Sequence, residues 1–69
     1  MNELTPKEVQ ILKVVYDAFG GACLERQLLA FSDISHDDID ELAKKNFLKR
    51  YEVEGLRFLI VRHAFYKLI

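Results

Sequence analysis

One cysteine, Cys23, excludes a disulfide within the chain. A lone thiol suits a reducing compartment, so a cytoplasmic location is expected, with Cys23 serving as a small buried apolar side chain. Proline occurs once and glycine three times; with so few, and with no repeat or biased tract, neither a linker nor a low-complexity segment is expected. No apolar run approaches the ~20 residues of a membrane span, so no membrane partner is expected. Met1-Asn2-Glu3-Leu4 lacks the basic-then-apolar order of a signal peptide. Gly20-Gly21 follows a helical pattern rather than a strand, which excludes a phosphate-cradling glycine loop. The two histidines, His36 and His63, lie far apart, and neither has a partner at metal-ligand spacing. No base is nominated for Cys23 as a nucleophile. No catalytic residue, metal or cofactor is therefore expected.

What is present is a compact, apolar-rich chain. Its 69 residues are 51% hydrophobic, with five Phe and three Tyr, enough for one domain with its own core. The net charge of −1 hides an asymmetry. Residues 33–41 hold five acids (Asp33, Asp37, Asp38, Asp40, Glu41) and no base. Residues 42–69 hold seven bases (Lys44, Lys45, Lys49, Arg50, Arg57, Arg62, Lys67) against Glu52 and Glu54.

Helix 1 is expected over about 5–19. Thr5 and Glu8 form a capping box, Pro6 fits the first helical position, and Leu4 with Val9 make a hydrophobic staple. Ile11, Leu12, Val15, Ala18 and Phe19 recur at helical spacing until Gly20-Gly21. Ala22-Cys23-Leu24 is a short apolar link with at most one or two residues of strand. Helix 2 is expected over about 24–31, with Leu24, Leu28, Leu29 and Phe31 apolar and no good capping side chain. After a turn at Ser32–Ile34, Ser35 caps helix 3, expected over about 36–46 with Asp38 three residues on. Acids in its first turn and Lys44 and Lys45 in its last suit the helix dipole, and Asn46 suits a left-handed C-terminal position. Residues 47–62 read as a hairpin with Glu54-Gly55 at its turn. The tail, 63–69, fits either a helix or continued strand.

This order resembles the winged helix-turn-helix family: α+β, mostly α, three helices followed by a two-stranded wing. Many members show a small residue, then Gly-apolar-Ser, then an apolar residue and Leu at fixed spacing. Here Leu29, Asp33-Ile34-Ser35, Ile39 and Leu42 occupy those places. The resemblance implies that Ile34 plugs the turn, that Ile39 and Leu42 face helix 2, and that Asp33 takes a left-handed backbone. Asn46-Phe47-Leu48-Lys49-Arg50 resembles the family's exit from helix 3 into the wing, and the likeness covers about residues 4–62.

The resemblance implies a small DNA-binding regulator or accessory protein, its double-stranded DNA partner held by helix 3 and the wing. Phosphate contacts then fall to Lys44, Lys45, Lys49, Arg50, Arg57 and Arg62, and Ser35, His36 and Lys44 lie near base edges. Rotating helix 3 at 100° per residue places Ile39, Leu42, Ala43 and Asn46 inward and Asp37, Glu41 and Lys44 outward. The reading helix thus starts acidic, which opposes phosphate. The rival expectation is a protein partner on that acidic surface or on the apolar tail. Under the DNA reading the protein is expected to be a homodimer, closed by Phe65, Tyr66, Leu68 and Ile69; under the rival these residues meet another protein, and packing of the tail on its own helix 1 stays open beside both.

Overall fold

The computed structural model describes residues 3–62. Six elements follow in order: α1 (Pro6–Phe19), β1 (Ala22–Leu24), α2 (Glu25–Leu29), α3 (His36–Lys44), β2 (Leu48–Val53) and β3 (Leu56–Val61). This is a small α+β fold of three helices and a three-stranded antiparallel sheet in the order β1-β3-β2.

α1 begins as its sequence requires. The Thr5 hydroxyl accepts from the Glu8 N–H, and the Glu8 carboxylate accepts from the Thr5 N–H. Gly20, at φ 70°, ends the helix in the left-handed conformation that glycine adopts without strain. The expected link then proves to be a full strand. Ala22, Cys23 and Leu24 pair with Ile60, Leu59 and Phe58, so the expected two-stranded wing is two-thirds of a sheet whose centre is β3.

α2 is shorter than the expected 24–31. Leu24 supplies no capping side chain, and Gln27 instead reaches back to the Leu24 N–H. At the other end Phe31 N–H bonds the Leu28 carbonyl, a tightened turn that swings the Phe31 ring out to solvent. Ile34 N–H then bonds the Phe31 carbonyl. Two such turns bring the chain round without a left-handed residue, so Asp33 does not take the conformation expected of it. Ile34 itself is buried, as expected of the plug.

Ser35 caps α3 by accepting from the Asp38 N–H, and Asp38 returns the bond to the Ser35 N–H. The helix stops two residues before the expected 46. Asn46, at φ 66°, gives its N–H to Ala43, and Phe47 gives its own to Leu42, the paired closure of a Schellman motif. That conformation turns Asn46 to solvent rather than inward. Glu54 (φ 52°) and Gly55 (φ 81°) make the hairpin turn, both left-handed, as a type I′ turn demands.

Ile11, Leu12 and Val15 of α1, Leu28 of α2, Ile39 and Leu42 of α3, and Leu48, Leu59 and Val61 of the sheet form one core, closed by Cys23, Ile34 and Phe47. Only one face of the sheet joins it. The side chains of Leu48 and of Leu59 and Val61 point in; those of Lys49, Tyr51 and Val53, and of Leu56, Phe58 and Ile60, point out. No helix among the described residues is long and apolar enough to cross a membrane. The tail positions Phe65, Tyr66, Leu68 and Ile69 lie outside the described residues.

Candidate functional site

The sequence leaves one carboxylate in an unexpected place. Glu25 opens α2, and its backbone position at the end of β1 turns its side chain under the hairpin, where it is 5% exposed. Three basic groups converge on it. Arg57 Nη1 donates to Glu25 Oε2 at 3.2 Å, Arg50 Nη2 lies 3.0 Å from Oε1, and His36 Nδ1 lies 4.0 Å from Oε2. The Arg50 contact is off hydrogen-bond geometry, so Glu25 Oε1 and Arg50 Nε are both buried without a hydrogen bond. Arg50 gives its better bond to Asp40 of α3, at 2.7 Å. The Asp40 hydrogen bond, against some desolvation, raises the Arg50 pKa with help from the Glu25 charge, and the same bond lowers that of Asp40. Arg57 also reaches Glu52 across the hairpin at 3.9 Å.

These ties reassign the basic residues marked in the sequence. Arg50, Arg57 and His36 are brought together, but round an internal carboxylate. Lys45 turns away toward α1, where its ammonium donates to Glu8 Oε1 at 2.7 Å and to the Glu3 carbonyl at 2.8 Å. Burial works to raise the Glu8 pKa, yet the bonds from Lys45 and Thr5 outweigh it and the pKa is lowered. Ser35 is occupied in capping α3. Lys44 is exposed on the last turn of α3. Lys49 lies on the outer sheet face with its ammonium 5.1 Å from the Tyr51 ring centroid, and Arg62 follows β3 on that same face. Lys44, Lys49 and Arg62 have no acidic partner among the described residues.

The acids of α3 are reassigned too. Asp38 is held in the cap and pairs with Lys7 at 3.1 Å; its pKa is lowered, first by the Ser35 N–H and then by Lys7. Asp40 is partly neutralised by Arg50. Asp37 and Glu41 are exposed and have no ion-pair partner among the described residues. The surface of α3 beside the wing therefore carries Asp37, Asp40, Glu41 and Glu52 against Lys44 and two arginines already shared with Glu25. Its local charge is negative.

A second surface had no counterpart in the sequence reading. Tyr51, Val53, Leu56, Phe58 and Ile60 are 37–55% exposed, and all five lie on the outer sheet face. Tyr51 is directly opposite Phe58, and Val53 opposite Leu56. Their signal was present in the run Phe58–Val61, apolar at odd and even positions alike, but that pattern does not say which face the helices leave uncovered. Glu25 gave no local signal at all, since an acid at a helix start is ordinarily solvated. Elsewhere, a shallow groove lies along α1 beside Phe31, and a cleft between Arg26 and Leu56 runs past Glu25. Among the described residues no cluster of His, Cys, Asp and Glu is disposed to hold a metal ion. Comparison with protein-family models, with curated proteins and with solved structures finds no match to the chain.

Proposed function

We propose that this chain is a winged-helix domain that works as a non-catalytic binding module, and that its α3 surface engages a basic surface on another protein. Its element order, with α3 followed by the β2–β3 hairpin and β1 beside β3, agrees with the winged-helix resemblance. The observation that carries the choice of partner is the fate of Arg50 and Arg57. Arg50 is held by Glu25 and Asp40, and the half-exposed Arg57 pairs with Glu25 and reaches Glu52, so two arginines are offset by three acids where a duplex would lie. Phosphates approaching Asp37 and Glu41 would meet repulsion, whereas Lys or Arg side chains would meet attraction. A free, buried Cys23 suits a cytoplasmic setting.

Duplex DNA is the second reading, as a transcriptional regulator or accessory factor. It is favoured by Lys44, Lys49 and Arg62, three cations without acidic partners among the described residues. Fluorescence anisotropy separates the two, using an arginine-rich peptide and a mixed-sequence duplex at low and moderate salt. The protein reading expects peptide binding that weakens with salt and is lost in Asp37→Lys with Glu41→Lys, and no duplex binding. Duplex binding at low salt that is lost in Lys49→Glu with Arg62→Glu would replace it with the DNA reading.

A further inference from the structure

The outer face of the sheet has a polarity along its strands. At its base, Lys49 stands opposite Ile60, and Arg62 follows two residues beyond Ile60 on the same face. At its tip, Glu54 sits in the turn. Between them lie Tyr51 and Phe58, then Val53 and Leu56, with Leu24 of β1 beside Phe58. Arg26 lies off the β1 side of the tip, in the cleft with Leu56. A face that is basic at one end, apolar in the middle and acidic at the other is complementary to itself when turned end for end. We infer that two copies of this chain associate through this face, sheet on sheet, with their hairpins antiparallel about a two-fold axis.

That arrangement sets Lys49 and Arg62 of one copy against Glu54 of the other, twice, and lays the Tyr51–Phe58 pair of each copy over the other's. Such an isologous contact is the commonest way for a chain to pair with itself, and aligned sheets pack about 10 Å apart through such faces. The five exposed side chains offer on the order of 400 Å² of apolar surface per copy, the size of a typical monomer's largest patch, which is often functional. With the charged rims the two copies bury about 1,000 Å² in total, the lower limit for a specific interface, so the dimer is weak and depends on concentration. The proposal does not depend on the α3 reading.

The test is sedimentation equilibrium of the full chain from low micromolar to near-millimolar concentration, with amide NMR spectra over the same range. The mass is expected to rise from 8.1 kDa toward twice that value, with concentration-dependent shifts at Tyr51, Phe58 and Ile60. Phe58→Ser should weaken association at least tenfold. Lys49→Glu with Arg62→Glu, and Glu54→Lys alone, all at exposed positions, should each weaken it several-fold, and the three combined should restore it; this set decides the matter if Phe58→Ser fails to fold. A full chain that stays at 8.1 kDa throughout overturns the proposal, as when residues 63–69 or another protein cover the face. So does a dimer whose shifts map to the groove beside Phe31, or a combined variant that fails to restore association.

Discussion

The ammonium of Lys45 meets the Glu8 carboxylate at 2.7 Å, joining the end of α3 to the first turn of α1, with Glu8 6% exposed. Both residues were expected to have other duties, Glu8 in a capping box by local pattern and Lys45 in phosphate contact by the family resemblance. Glu8 performs its local duty and this one together.

Lys45→Met should destabilise the fold by about 2–4 kcal/mol at neutral pH, because it strands a buried carboxylate. The pH dependence follows from the Glu8 pKa, which is lower folded than unfolded. Its contribution is fully present above the ordinary carboxylate pKa and is lost as pH falls through the folded value. The gap between wild type and variant should therefore narrow as pH is lowered from 7 toward 3. Urea midpoints across that range check it, and a gap that stays constant would sink the assignment.

Glu25 should couple unequally to its two arginines. The Arg57 side chain is 51% exposed, so its coupling to Glu25 should not exceed about 1 kcal/mol. Arg50 is 30% exposed and lies 3.0 Å from Glu25 Oε1 as a less screened ion pair, and its coupling should be larger, about 1–3 kcal/mol. Double-mutant cycles with Glu25→Gln, Arg50→Met and Arg57→Met measure both, and the reverse order would refute the geometry.

Backbone conformation alone should govern two substitutions. Gly55→Ala meets no atom within 4 Å of the new Cβ, yet φ is +81°, so a loss of about 1 kcal/mol is expected from strain. Asn46→Gly, at φ 66°, should be neutral or stabilising by up to about 1 kcal/mol, and Asn46→Val should be destabilising. Thermal melts of the three variants rank them.

Burial raises the Cys23 pKa. Its thiol should react with a disulfide reagent far more slowly in the folded chain than in urea, and faster in core-destabilised variants. Equal rates folded and unfolded would contradict its place between α1 and the sheet.

The local elements were legible because their signals are local. Thr5 with Glu8, Ser35 with Asp38 and Glu54-Gly55 each act within four residues and do in the structure what their spacing predicts, and Asn46 takes the expected left-handed conformation though not the inward place. The core positions Ile11, Leu12, Val15, Ile39 and Leu42 followed from helical periodicity. What failed was long-range or a balance between near equals. Nothing in Ala22-Cys23-Leu24 states that β3 will lie beside it. Asp33 was assigned by analogy with a glycine that this chain lacks, and two tightened turns did the work instead. The candidate site suffered most, since the charge of Arg50 or Lys45 is visible in sequence but its partner is not.

The central place of β3 has a consequence for synthesis. The sheet's middle strand is the last described element made, and β1 waits for it while α2, α3 and β2 are added between them. On the ribosome neither β1 nor β2 has its partner until Leu56–Val61 has emerged. A nascent chain halted before that point leaves β1 and β2 unpaired and the core without Leu59 and Val61, so the domain should acquire protease resistance in one late step.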